Sequence, residues 1–411
     1  MVAILGYSRQ QIVAAVRDMY TAVAASPDSP FHFPVGRAAA TAMGYPHDLL
    51  DRLPATAVSA FAGVGYPFSG NAVQPGHTVL DIGAGAGCDT LVAAEHVGPD
   101  GHVIALDLTG GMTRRIRTAA REAGAANVSV VEASAERLPL ADESIDSITS
   151  NGALNLVPDK RGAVAEMFRV LRPGGRLQIA DVVIRRPVTV DCSDDPRLWV
   201  ECVVGATVDE DLLALFRDAG FEDIRVVRSL DYFAHSPSAQ TREIAASFGA
   251  HSVELAMQRA ERPPGFLWHW ARRLNPVRGV KSLWRRGAGG VASLALALLT
   301  CYGTMAALAM LAATGTAVTV DEGLWAALIG VFAILTVVAI APGIRYHRSA
   351  APVVVGAAGA LVVCYALFVH YTMGVELAGF LALAVGVGWD IHLRRRAQAR
   401  VLGVQGAARP R

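Results

Sequence analysis

The 411-residue chain predicts two kinds of structure in series: an α/β domain with a helical N-terminal segment, then an all-α domain of four membrane-spanning helices. Three observations predict this. Between about 71 and 259, strand-like apolar runs alternate with helical stretches, the pattern of a parallel sheet with helices on both faces. Inside that span, Thr78-Val79-Leu80-Asp81-Ile82 runs straight into Gly83-Ala84-Gly85-Ala86-Gly87, a buried strand turning sharply into a helix. After Gly287 charge nearly vanishes: Gly287 to Val320, 34 residues, carries none, and shorter uncharged runs follow at Gly323–Ile344, Ser349–Val369 and Leu377–Trp389.

The glycine turn defines a nucleotide-type pocket. The next strand, Val103 to Asp107, ends in an acid 22 residues after Gly85, where such a unit places a carboxylate on ribose hydroxyls. The ligand is either a dinucleotide or S-adenosylmethionine. A dinucleotide fingerprint wants a glycine three residues after Gly85, so that pyrophosphate rests on the helix N-terminus; Cys88 stands there instead. Asp81, just before the glycines, would repel phosphate and suit a cationic sulfonium. Asp81, Gly83, Gly85, Gly87, Asp107, Leu108 and Met112 are therefore the expected cofactor-binding residues on this side.

The remaining elements follow in order. Ser8 and Gln11 form a capping box for a helix to about Ala25, and Phe61 to Phe68, punctuated by Gly and Pro, makes a loop that could lie over the cofactor. Met112–Ala123 reads as helix and Val128–Glu132 as the third strand; Ala135 and Glu136 then offer a backbone N–H and an acid to an adenine edge. Ser144–Asn151 is the fourth strand, with Asn151 at the pocket mouth. Glu166–Leu171 reads as helix, Arg172-Pro173-Gly174-Gly175 as a tight turn, and Arg176–Asp181 as the fifth strand. Asp209–Asp218 is helical, and strands are expected near Arg225–Val227 and at Ser252–Ala256. Ligands in such folds sit outside the carboxyl ends of the strands.

Charge is balanced, with 37 Lys and Arg against 36 Asp and Glu, so nothing points to nucleic acid or another polyanion. Five cysteines, Cys88, Cys192, Cys202, Cys301 and Cys364, form no Cys-x-x-Cys pair and suit reduced thiols. Met1–Gly6 is too short an apolar stretch for a secretory signal. His235 and His251 lack metal-ligand spacing, and no metal site is expected.

The Asp81–Gly87 motif, the Leu171–Gly175 turn and Asp107 resemble class I S-adenosylmethionine methyltransferases, which implies a Rossmann-like sheet. More narrowly, His32-Phe33-Pro34, Phe61-Ala62-Gly63-Val64-Gly65, Ser150-Asn151 with Asn155-Leu156 and Asp159-Lys160, and Leu198-Trp199-Val200-Glu201-Cys202-Val203-Val204-Gly205-Ala206 resemble the arsenite methyltransferase family, over roughly residues 10 to 259. The resemblance implies methylation of trivalent arsenic, a soft thiophile held by thiolates, with glutathione or thioredoxin as reductant. Cys202 is the implied substrate thiolate. The family carries a cysteine right after Ser-Asn, whereas this chain has Gly152; Cys192 or Cys88 is then the candidate second thiolate.

In the membrane half, Arg272, Arg273, Arg278, Lys281, Arg285 and Arg286 precede the first span, Arg345, His347 and Arg348 separate the second from the third, and Arg394, Arg395, Arg396 and Arg400 follow the fourth. The alternate loops hold Asp321, Glu322 and Glu376. Four spans with both termini and the methyltransferase domain in the cytoplasm satisfy the positive-inside rule. The spans, ending in Gly388-Trp389-Asp390-Ile391-His392-Leu393-Arg394-Arg395, loosely resemble MerC-type mercury-resistance proteins, which carry an adjacent cysteine pair where only Cys301 stands here.

The expected organisation is a helical cap or lid over 1–70, the methyltransferase domain over 71–259, a basic aromatic juxtamembrane linker over 260–286, four spans over 287–396 and a tail over 397–411. The leading reading is a membrane-tethered methyltransferase acting on trivalent arsenic. The alternatives are a lipid or quinone acceptor, and a metal or metalloid carrier with a methyltransferase handling domain.

Overall fold

The computed structural model describes residues 8–188, 203–261, 288–304, 306, 310 and 321–402. It divides into two compact units, Met1–Ala271 and Arg272–Arg411. Cys192 and Cys202, most of the basic linker and much of the expected first span lie outside the described residues.

In the first unit, α1 (Arg9–Ala25) opens with the expected capping box, Ser8 and Gln11 each accepting from the other's backbone N–H. Three short helices follow, α2 (Gly36–Met43), α3 (His47–Arg52) and α4 (Ala55–Val58). The sheet alternates with helices: β1 (Thr78–Ile82), α5 (Cys88–Val97), β2 (His102–Asp107), α6 (Gly110–Glu122), β3 (Val128–Glu132), β4 (Ile145–Asn151), α7 (Lys160–Val170) and β5 (Leu171–Ile184). Then come β6 (Thr207–Val208), α8 (Asp209–Ala219), β7 (Phe221–Leu230), α9 (Ala239–Phe248) and β8 (His251–Arg259).

Strand order is β3-β2-β1-β4-β5-β8-β7, with β6 beside β5. The first five strands are parallel, as expected, with β1, β2, β4 and the second half of β5 largely buried and the edge strand β3 only partly so. Beyond these strands the sheet is mixed: at the far edge β8 runs antiparallel to both β5 and β7. The chain from β7 to β8 returns through the short helix α9, so β8 enters the gap between β5 and β7 from the opposite end. The core includes Leu80, Ile82, Ile148, Leu177, Ile179, Phe216 and Leu255, all at most 1 % exposed.

The second unit contains α10 (Gly289–Leu298), which continues as a π-helical turn over Leu299–Gly303, then α11 (Glu322–Ile340), α12 (Ala351–Phe368) and α13 (Met373–Leu402). Among the described residues, three helices are long and apolar enough to cross a membrane: Gly323–His347, Ala351–Phe368 and Met373–Leu402. The expected first span is described as a shorter apolar helix, Gly289–Gly303. Glycines let α12 and α13 approach closely: a Cβ on Gly359 would meet the Gly379 carbonyl at 2.8 Å, and one on Gly386 the Pro352 carbonyl at 2.8 Å. Large apolar side chains such as Leu299, Leu361 and Leu381 face outward, as a lipid-facing surface requires. Near the basic end of α13, Asp390 is buried with both oxygens engaged, by His347 Nε2 at 3.0 Å and Arg394 Nε at 2.7 Å.

Candidate active site

At the carboxyl ends of β1, β2 and β4 lies a cleft whose empty space is about 1000 Å³, its open mouth included. Its floor is the glycine turn. Gly83 and Ala84 donate to the Leu106 carbonyl at 2.8 and 3.0 Å, folding the turn onto β2. Gly83 and Gly85 have φ of +73° and +55°, and a Cβ on Gly83 would stand 2.2 Å from the Ala153 methyl group. Glycine is required there by backbone conformation and by packing. Nothing lies within 4 Å of a Cβ built on Gly85, which is open to the cleft.

Asp107 fixes the second wall. Its carboxylate accepts from Gly85 N at 2.9 Å and Thr109 N at 2.8 Å, and burial raises its pKa to about 6. Leu108 and Met112 line the cleft beside it, as do Ala133, Ser134 and Ala135 after β3. The Glu136 carboxylate does not. It accepts from Arg9 Nε at 2.9 Å and Asp159 N at 2.8 Å, tying α1 to the segment before α7. Two further expected residues lie behind the cleft. Gly87 caps α5 in a left-handed conformation. Asp81 is buried, accepting from Thr90 Oγ1 at 2.7 Å and Thr149 Oγ1 at 3.1 Å; burial, then the neighbouring Asp89 charge, raises its carboxyl to about 7.

Asn151 lies at the cleft, and its amide is engaged mostly with protein. Oδ1 accepts from Val64 N at 2.7 Å and Gly65 N at 3.1 Å; Nδ2 donates to Gly65 O at 2.9 Å, Asp89 Oδ2 at 2.9 Å and Tyr45 Oη at 3.2 Å. Tyr45 donates to the other Asp89 oxygen and packs edge-on against Phe61 and Tyr66. Asp89 lines the cleft with its pKa raised by burial to about 6. The far side of the 61–68 loop is pinned by the buried Glu254, which accepts from Tyr66 N and Ser69 Oγ, both at 2.8 Å.

A roof closes the cleft: Val13, Val16 and Tyr20 of α1 and Ala60–Gly63 of the loop. Arg115 secures it, donating to Ala24 O at 2.6 Å, Thr56 O at 3.2 Å and Ser59 Oγ at 3.0 Å. The acceptor side is Gly152, Ala153, Leu156, Val157 and Pro158. Lys160 holds this segment from below, its Nζ donating to Asn155 O at 2.8 Å and Val157 O at 3.1 Å.

Cys88 is buried at the start of α5 and lines the cleft. Burial, with Asp89 and Asp81 nearby, pushes its thiol well above the ordinary range, so it stays protonated at neutral pH. Gly152 has φ +79°, and a Cβ there would touch Val64 Cγ1 at 3.4 Å. Cys202 and Cys192 lie outside the described residues. Sequence reasoning missed Tyr45, Asp89 and the α1 face Val13, Val16 and Tyr20. The helical spacing of the last three was available; the union of Tyr45 with Asp89, 44 positions apart, had no local signal.

Among the described residues no Lys, Arg or His lines the cleft, whereas two buried carboxylates, Asp89 and Asp107, do. Such a lining gives a pyrophosphate no cationic partner and suits a sulfonium and ammonium carried on an adenosine. The residues present therefore fit S-adenosylmethionine.

Residues 74–220 match the family model described as a methyltransferase domain, and residues 288–392 match that of the MerC mercury resistance protein. An arsenite methyltransferase of Halobacterium salinarum is 43 % identical over 164 residues, 40 % of this chain and 42 % of that protein. One from mouse is 35 % identical over 158 residues, 36 % of this chain and 42 % of the relative. A demethylmenaquinone methyltransferase of Listeria welshimeri is 39 % identical over 109 residues, 26 % of this chain and 46 % of the relative. The chain thus spans less than half the length of these curated relatives. The crystal structure of an arsenic (III) S-adenosylmethionine methyltransferase from Chlamydomonas reinhardtii aligns with a TM-score of 0.43 at 30 % identity, covering 56 % of this chain and 76 % of that one. Residues 74–220 are thus similar to the methyltransferase domain family and residues 288–392 to the MerC family.

Proposed function

We propose that the protein is a membrane-tethered S-adenosylmethionine-dependent methyltransferase whose acceptor is trivalent arsenic, as arsenite or its thiol conjugates. The observation that carries the methyltransferase reading is the roofed cleft lined by Asp89, Asp107 and the glycine turn, with no basic side chain among its described lining residues. The relatives named arsenite methyltransferases support the acceptor.

When bound, the cofactor supplies an electrophilic methyl group on a sulfonium. Asp107 would accept from ribose hydroxyls, Gly83 and Gly85 would admit the cofactor close to the backbone, and Ala135 would offer its N–H to the adenine. Asp89 offers a carboxylate to the cationic end. Because the arsenic lone pair is the nucleophile, no strong general base is required; the protein orients the acceptor and excludes water. Val13, Val16, Tyr20, Phe61 and Leu156 serve that exclusion. Cys202 is the thiolate that holds arsenic, with Cys192 as its candidate partner, while Cys88, kept protonated, serves as a packing residue. Methylation through the lone pair leaves arsenic formally pentavalent; two thiols would supply the two electrons that return it to the trivalent state by forming one disulfide, and glutathione or thioredoxin would reduce that disulfide. The domain boundaries are those set from the sequence, and four spans with both termini and the methyltransferase domain cytoplasmic follow from the basic residues flanking each apolar run.

A quinone or lipid acceptor is the second reading. The apolar segment Gly152–Pro158 and the demethylmenaquinone methyltransferase relatives favour it. Calorimetric titration of the full-length protein in detergent with arsenite and S-adenosylhomocysteine, wild type against Cys202→Ser, separates the two. Binding lost in the variant supports arsenic. Absence of binding in both, with methyl transfer to a demethylated quinone, replaces it.

A further inference from the structure

Buried polar groups inside an apolar helical bundle demand partners, and those left without one mark places where something else binds. In the second unit Asp390 is engaged on both oxygens, whereas Glu376, at the opposite end of α13, is not. Glu376 is 0 % exposed. Its Oε1 accepts from Cys301 Sγ at 2.9 Å, and its Oε2 is buried with no hydrogen-bond partner among the described residues. The Tyr302 hydroxyl is also buried and unpartnered among them, and the Tyr371 phenol approaches the same carboxyl. The π-helical turn Leu299–Gly303 carries Cys301 and Tyr302, a local widening of the helix that recurs at functional sites.

We propose that Cys301, Glu376 and Tyr302 form an intramembrane site for a neutral trivalent arsenic hydroxide, a second place on this chain for the acceptor. The inference rests on the reading of trivalent arsenic as that acceptor. One soft ligand beside a carboxyl with a free oxygen matches a molecule that is thiophilic at its centre and a hydrogen-bond donor at its edge. The Cys301 thiol and one As–OH condense: the S–As bond forms, the S–H and one As–O bond break, and the proton and hydroxide leave as water. Arsenic stays trivalent and no electrons change hands. The two remaining As–OH groups donate to Oε1 and Oε2 of Glu376, so opening one thiol–carboxyl hydrogen bond makes two. The incoming molecule brings no net charge into the bundle, which avoids the large penalty of burying an unpaired ion.

The test uses full-length protein in lipid nanodiscs with sodium arsenite as probe. On wild-type protein, arsenite should slow alkylation of Cys301 by N-ethylmaleimide, read by peptide mass spectrometry, at least tenfold, and leave Cys364 unaffected. An unchanged rate at Cys301 overturns the proposal without any variant having to fold. Equilibrium dialysis with elemental detection should show one arsenic fewer per chain in Cys301→Ser and at least tenfold weaker binding in Glu376→Gln, with Cys364→Ser as wild type. If Cd²⁺ is bound through Cys301 and arsenite is not, the site takes a divalent cation and the proposal fails. Arsenite methylation is measured alongside. Protection of Cys301 without methylation leaves this site standing and removes the proposed function; methylation with no arsenic at Cys301 does the reverse.

Discussion

Replacing Asp81 by Asn should stabilise the first unit at alkaline pH. Asp81 is buried beneath the glycine turn with only the Thr90 and Thr149 hydroxyls for company. Its carboxyl, ordinarily near 3.8, is raised to about 7, chiefly by burial and then by Asp89. A raised acid is a penalty carried by the folded state above the folded pKa. The interval from 3.8 to about 7, at about 1.4 kcal/mol per pH unit, bounds that penalty at no more than about 4 kcal/mol at pH 8. It shrinks as pH falls through 7 and vanishes near 4. An Asn keeps both partners, accepting from one threonine and donating to the other, and loses part of the bound through weaker hydrogen bonds. A net gain of about 2 kcal/mol corresponds to a melting transition about 4–8 °C higher for a domain of this size. Differential scanning calorimetry of the full-length protein in detergent, at pH 8 and pH 5, should show the gain at pH 8 and none at pH 5. Titration with S-adenosylhomocysteine should change less than tenfold, because Asp81 does not line the cleft. A lower transition temperature at pH 8, or a hundredfold loss of affinity, would refute the reasoning and return Asp81 to the cofactor.

Three further outcomes follow from the cleft. Asp107→Asn should weaken cofactor binding about 10- to 100-fold, the worth of one charge-assisted hydrogen bond of about 1.5–3 kcal/mol; wild-type affinity should fall as pH drops through about 6 and protonates this carboxylate, while the Asn variant stays flat. Asn151→Ala strips Val64 N, Gly65 N and Asp89 of partners, so amide exchange across 61–68 should quicken by two orders of magnitude or more, for about 3 kcal/mol of lost hydrogen bonding, and unchanged exchange would show the amide to be dispensable. Gly152→Cys pays about 1 kcal/mol for its left-handed backbone and finds space beside Val64; arsenite affinity should rise, and an unaltered titration would place the acceptor away from position 152.

The five parallel strands were legible because β-branched and other apolar residues recur in each and glycine, proline or an acid punctuates them, and the boundaries of β1 and β3 coincide with the runs read from sequence. The reversal of β8 was not legible, since residue pattern within a strand carries no direction. Asp107 was placed at the cleft by its distance from the glycine turn and Ala135 by its place after the third strand. The ion pair of Glu136 was not legible: an acid in that segment can be engaged by a cation from anywhere, and Arg9, 127 positions away, engages it. Asn151 was found as a position but not as a role, because its partners Val64, Gly65, Tyr45 and Asp89 are assembled only by the fold.

The roof of the cleft comes from residues 13–20 and 60–63, all earlier in the chain than the first strand. It is fastened mainly by one arginine, one asparagine and one glutamate, each holding backbone rather than ligand. On the proposed function, a cofactor and its demethylated remnant pass the same roof, and a roof that opens more slowly than the methyl group transfers would make departure of the remnant the slow event. Mixing the protein with both reactants would then release the first equivalent of product in a fast burst and every later one at the pace of the roof. Throughput would in that case be tuned by changing Arg115 or Glu254, which touch neither reactant.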